Sequence, residues 1–88
     1  SANLCSANFI SAYLIDSYLI SADLSSADLR SANLISANLI SANLSSANLS
    51  DVELPGIRFN ASTNWEGVKG TETAKNVPDA LKQQLGLT

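Results

Sequence analysis

The chain of 88 residues has no histidine and no methionine, one cysteine, one tryptophan and two prolines. Without histidine there is neither an imidazole metal ligand nor a base for a Ser or Cys nucleophile. Cys5 is the sole thiol, so no intrachain disulfide can form, and it reads as a plain surface thiol. Five Lys and Arg against eight Asp and Glu give a net charge of -3, which provides no basic footprint for nucleic-acid phosphates. No apolar run approaches the roughly 20 residues that span a bilayer, and no charged-then-apolar leader precedes the first repeat. No metal-ligand cluster, nucleophile with its base or phosphate loop is present. The expectation is therefore a protein that is not an enzyme and has no cofactor and no small-molecule substrate. The chain starts one residue before its first repeat unit and has no initiating Met, which suggests a removed leader or a longer parent.

What the chain does have is a period of five. Residues 21–50 read Ser-Ala-Asp/Asn-Leu-x over and over. In an α-helix a five-residue spacing scatters the leucines around the axis, because each residue advances by about 100°. In one straight strand an odd spacing throws successive leucines onto opposite faces. One buried face survives only if the chain turns a corner once per repeat. Ala22 and Leu24 then point inward, Asp23 and Ser25 point outward, and Ser26 takes the corner. The path is a solenoid.

Tandem Ala-Asp/Asn-Leu-x-x in register over residues 2–61 resembles the pentapeptide-repeat family. That resemblance implies an all-β solenoid, a right-handed quadrilateral parallel β-helix with four pentads per coil. The residues themselves leave the number per coil open, since lags of four and of five pentads match the residues after the central position equally often. At four per coil, twelve pentads make about three coils, a stub roughly 15 Å tall at about 4.8 Å per layer. Such an array gains stability coil by coil, which relieves the small-core problem of a chain this short.

The expected core is Leu4, Phe9, Leu14, Leu19, Leu24, Leu29, Leu34, Leu39, Leu44, Leu49, Leu54 and Phe59. Ser17 stands where Ala is usual, and its inward hydroxyl is expected to find a backbone partner. Val52 and Ile57 enlarge the inward small position near the end of the array. One added residue at Ser62 restores the phase, so that Trp65 becomes the centre of a thirteenth pentad lying over the end of the Leu stack. The expected organisation is a β-helix over residues 1–67 and a capping loop and helix over 68–88. Pro at the first turn, an early acid and a terminal Gly mark a short helix from Pro78 to Gly86. Too short to persist alone, it must dock through Ala80, Leu81, Leu85 and Leu87. Trp65, Leu81 and Leu85 form the expected end cap. The other end has no equivalent, and its first coil is expected to present open strand edges.

With four pentads per coil, Ile15 stacks on Ile35 and Ile20 on Ile40, with Tyr13 and Tyr18 beside them. These six side chains make one exterior patch on two adjacent faces, and a cluster of that kind marks a contact surface. The functional expectation is a noncatalytic structural or protein-interaction module, self-associating or partner-binding through this patch or through the uncapped first coil. The family also implies an alternative, a DNA-mimic that binds type II topoisomerase. Against it, the repeats carry only Asp16, Asp23, Asp28, Asp51 and Glu53 with Arg30 and Arg58 among them. Asp23 stacks between Asn3 and Asn43 and Asp28 between Asn8 and Asn48, which keeps like charges off adjacent layers, and this ladder reading outweighs an acid–base pair of Asp23 and Asp28. Asn60-Ala61-Ser62 matches a glycosylation acceptor pattern, a short match common by chance. The pentads together with the Trp-bearing, Asn-Val-Pro helical tail look similar to cyanobacterial or plastid members, which would place the chain in the cytoplasm or thylakoid lumen.

Overall fold

A computed structural model describes residues 2–86. Each pentad turns at its serine. In the first, the Leu4 carbonyl accepts a hydrogen bond from the Ala7 N–H at 3.0 Å, and Ser6, the third residue of that turn, has φ 60°. A positive φ at that position alone is the type II arrangement, which ordinarily favours Gly or Asn. Here Ser or Asp occupies it at every fifth residue from Ser6 to Asp51, with φ between 58° and 61°. A left-handed L-residue costs roughly 1–2 kcal/mol, and it persists only where neighbouring bonds hold it. Gly56 takes over the corner after Pro55, the residue pair this turn favours most.

The corners wind the chain into a solenoid of twenty residues per coil. Asn3 bridges Asp23 in parallel, Asn8 bridges Asp28, Tyr13 bridges Asn33 and Tyr18 bridges Asn38; the next coil repeats the register from Asp23↔Asn43 to Asn38↔Arg58. Four pentads per coil is therefore the observed number. Among the described residues no continuous strand forms. Each bridge is a single residue, because the left-handed corner breaks the extended backbone before a run can build. That corrects the expectation of strands along each side.

Asn43 bridges Asn64, a spacing of twenty-one residues, so the chain absorbs one extra residue here. Buried Thr63, 4% exposed, takes the inward small position, and its hydroxyl donates to the Leu39 carbonyl at 2.9 Å. Bridging does not stop at residue 67: Lys69 pairs with Asn48 and Lys75 with Glu53, so the array runs into the segment expected to be only a cap. Between them lies a 3-10 turn, Thr71–Thr73, and after them α1, Asp79–Leu85, which begins behind Pro78 and ends at Gly86 with φ 74°.

The core is the inward column of each side. Leu24, Leu29, Leu34, Leu39, Leu44, Leu49 and Leu54 are each at most 1% exposed, with the alanines from Ala22 to Ala47 between them. Each such Leu contributes about 1.5–3 kcal/mol by leaving water. Leu4, Phe9, Leu14 and Leu19 of the first described coil, and Phe59 further along, are only partly buried, since among the described residues the core covers them less completely. Trp65, 7% exposed, meets Phe59 edge-to-face with ring centres 6.3 Å apart, and Leu81 of α1 is fully buried in the same cluster with Leu85 packed against it. Ala80 is exposed and does not dock; Leu87 lies outside the described residues. Among the described residues the buried Ser17 hydroxyl and Trp65 indole N–H have no hydrogen-bond partner, which contradicts the expected backbone contact for Ser17.

Leu34→Ala should cost about 2–5 kcal/mol, because layers above and below hold the cavity open; a thermal melt equal to the parent's would contradict the inward column. Gly70 has φ 78°, and a Cβ there would overlap the Ser50 hydroxyl and lie 2.6 Å from its amide nitrogen, whereas at Gly67 the nearest atom is 3.4 Å away. Gly70→Ala should therefore lower stability by roughly 1–3 kcal/mol, and more than Gly67→Ala in the same denaturation experiment.

Candidate interaction surface

The exterior of the solenoid is governed by how each pentad satisfies its own backbone. Take Ala22–Ser26. The Ala22 N–H closes the turn onto the Leu19 carbonyl at 3.0 Å, Asp23 N–H bonds back to Ala2 at 2.8 Å, and Leu24 and Ser26 bond forward to Asn43 at 2.7 Å and Ser45 at 2.8 Å. The fifth donor, the Ser25 N–H, has no backbone acceptor. It donates to the Asp23 carboxylate two residues back at 3.0 Å. This is the Asx turn, and it explains why Asn or Asp belongs at that position. The same bond recurs at Cys5, Ile10, Arg30, Ile35, Ile40, Ser45, Ser50 and Glu66, between 2.9 and 3.3 Å.

Where the repeats lack Asx, the sequence usually compensates. Glu53 is followed two residues later by Pro55, which has no N–H to satisfy. Arg58 is followed by Asn60, whose N–H finds the Thr63 hydroxyl at 3.0 Å. Tyr13 and Tyr18 have no such replacement. Their side chains supply no acceptor to the Ile15 and Ile20 N–H groups, and the phenol-bearing side chains stand 80% and 79% exposed. Two local rules are broken here, side by side, with no structural return.

The six residues of the expected patch are not equally exposed. Tyr13 and Tyr18 project fully; Ile15, Ile20, Ile35 and Ile40 are half-buried between neighbouring layers. Their stacking is in register, since Asp16 N–H bonds to the Ile35 carbonyl and Ser21 N–H to the Ile40 carbonyl, each at 2.9 Å. Among the described residues the third exposed large apolar side chain is Ile10, on the neighbouring side of the same coil. Beside Tyr18 a groove of about 480 Å³ runs along the corner column, lined by Asp16, Ser36 and Gly56 on one wall and Tyr18, Asn38 and Arg58 on the other. Arg58 was not singled out by sequence; it joins the surface because Tyr18, Asn38 and Arg58 stack in one bridged column.

The polar faces are occupied by local bonds. Asp28 forms a salt bridge with Arg30 at 2.7 Å, which draws its carboxyl below the ordinary range and raises the guanidinium. The Ser25 hydroxyl, 2.6 Å from Asp23, and the Ser25 N–H lower the Asp23 carboxyl. Asn60 of the glycosylation-like triplet spends its carboxamide inside the fold, accepting from Ser41 N–H at 3.1 Å and donating to the Ser41 hydroxyl at 3.4 Å. Cys5 is exposed, with its sulfur 3.4 Å from the Ser25 hydroxyl oxygen. Among the described residues no three His, Cys, Asp or Glu side chains gather as a metal site, and no helix is long and apolar enough to cross a membrane.

A family model described as Pentapeptide repeats matches the chain in eight copies, over residues 1–34 and 22–60. No curated protein and no solved structure matches it.

Because the folded Asp23 and Asp28 carboxyls lie below their ordinary value of 3.8, their contribution to stability is full above that value and is lost as pH falls through the lower folded value. Melting temperature should therefore decline on acidification below about 3.8. The Asp23→Asn, Asp28→Asn double variant, whose amides keep the Asx bonds, should decline less, and equal slopes for the two proteins would refute the assignment.

Proposed function

We propose that this chain, which belongs to the pentapeptide-repeat family and so to a group of generally noncatalytic β-helix-type solenoids, is a protein-interaction module. In this reading the shaft is a right-handed, four-sided β-helix, and the contact surface is the pair of sides that carry Tyr13, Tyr18, Ile15, Ile20, Ile35 and Ile40. The partner is a protein, a second copy of the chain included. The observation that carries the reading is the double replacement of Asx by tyrosine. At every other Asx substitution up to Arg58 the neighbouring donor is removed or re-paired, so the loss at Tyr13 and Tyr18 does nothing for the fold. Departures from local consistency of this kind collect at functional positions. Exposed tyrosines add a large, stiff contact area with a polar tip, the side-chain type enriched in interfaces.

The topoisomerase alternative draws no support from the surface. Its carboxylates do not form an open array: Asp28 is neutralised by Arg30, and Asp23 is turned onto Ser25.

Tyr13→Asn and Tyr18→Asn test the proposal, because they restore the missing Asx bonds. Each should stabilise the fold by about 0.5–1.5 kcal/mol while weakening association measured by light scattering across a concentration series. A double variant that melts below the parent, or that associates as strongly, would retire this surface. Ile35→Ser with Ile40→Ser probes the same sides one coil further along.

A further inference from the structure

Resting on that reading, we propose that the contact is made with a second copy of this chain, laid side by side and end for end, through the groove that Asp16 and Arg58 share. Among the charged side chains of residues 2–61, Asp28 and Arg30 hold each other, Asp23 is turned onto Ser25, and Glu53 accepts from the Asn76 carboxamide at 3.3 Å. Asp16, Asp51 and Arg58 make no side-chain hydrogen bond or ion pair among the described residues. Two of these three, of opposite sign, line the same groove.

The bridges from Tyr18 to Asn38 and from Asn38 to Arg58 put Asp16 and Arg58 two layers apart, roughly 10 Å along the axis at about 4.8 Å per layer. They do not pair within one chain. A two-fold axis running across the side at the level of Asn38 sets the first layer of each copy against the third layer of the other. Each column then faces itself with its order reversed. Arg58 lies over the Tyr18 ring of the second copy, the arrangement of a cation–π contact. The Asp16 carboxylate of that copy stands in the neighbouring column, within reach of a guanidinium on a long side chain. Opposite Asp16 itself is Gly56, exposed and without a side chain, which leaves room for the carboxylate. Like charges stay two layers apart.

The middle layer is matched as well. Asn38 spends one lone pair of its carboxamide oxygen on the Ile40 N–H at 3.2 Å, which leaves, among the described residues, its amide N–H groups and the second lone pair for the Asn38 of the second copy. Half-buried Ile40 meets its own counterpart, an apolar pair on the axis. Parallel alignment, about an axis along the shaft, sets Arg58 against Gly56 and Asp16 against Tyr18 and satisfies neither charge. Charge complementarity therefore favours the antiparallel arrangement, and its two-fold symmetry closes the assembly as a dimer. One side of a solenoid whose longest extent is 31 Å gives a small interface, so the contact belongs to the weak, salt-sensitive class.

A charge exchange tests this, read by light-scattering mass on the 88-residue chain up to about 1 mM. Arg58→Asp sets a carboxylate against Asp16 of the other copy, and Asp16→Lys sets an ammonium against Arg58. Each variant alone should stay monomeric at concentrations where the parent gives twice 9.2 kDa, with a thermal melt verifying that it is folded. Mixed in equal amounts, the two carry opposite charges at both contacts and should associate about as strongly as the parent, and roughly three- to tenfold more weakly once salt screens exposed pairs. Arg58→Asn, which repeats the residue of the layer before it and so spares the coil, should weaken the parent dimer about three- to thirtyfold. A mixture no more associated than its components overturns the Asp16–Arg58 contact; the tyrosine surface then stands in another register if Tyr18→Asn still weakens association of the parent. A parent that is monomeric at about 1 mM overturns the second copy as occupant and leaves that surface to a different protein.

Discussion

Five backbone N–H groups arrive with every pentad, and the structure depends on finding an acceptor for each. Three go to neighbouring coils, one closes the turn, and the last is taken by the Asx side chain two residues earlier. An unpaired backbone group in a shaft this narrow would cost about 1–3 kcal/mol, so the accounting constrains sequence at all five positions. Ala fits where the shaft is tight, Leu fills it, Asx takes the orphan donor, and Ser accepts a left-handed corner. The residue after Leu is the freest, and it varies most along the chain, from Cys5 through Ile10 and Arg30 to Pro55.

Seen this way, the irregular parts of the chain fall into two kinds. Pro55, Thr63 and Gly70 are repairs: one deletes a donor, one replaces a lost acceptor with a hydroxyl, and one makes room beside Ser50 where a Cβ would collide. They let the array absorb an extra residue and close beneath Trp65 and α1. Tyr13 and Tyr18 repair nothing. They lie in the first described coil, two coils away from the Phe59–Trp65 contact.

Much of this was legible in the order of residues. The inward Ala and Leu, the serine corner, the extra residue before Trp65 and the docking helix all follow from a five-residue period and its phase. The pairing of Ile15 with Ile35 followed once four pentads per coil was assumed. Other features were not legible. The reason for Asx needs the direction in which each N–H points, which no periodicity reports. Ser17 was expected to find a partner, and among the described residues its hydroxyl has none. Strands were expected along the sides, and the corners come too often for more than single-residue bridges. Ala80 was expected to dock and faces solvent, while Lys69 and Lys75, unremarkable in sequence, extend the ladder into the cap.

The sequence by itself determined which side chains go in and which go out, since a period of five admits one buried face only if the chain bends at every repeat. It left undecided how many repeats complete a coil, because lags of four and five pentads match the residues equally well. Only the tertiary structure settled that, by bridging Asn3 to Asp23 and each corresponding outward residue up to Asn38 to its partner twenty residues on. The register is set by hydrogen bonds between coils and by the angle of each corner. Those are long-range quantities, so the neighbours of Tyr13, Tyr18 and Arg58, and with them the shape of the proposed contact surface, exist only in the folded chain.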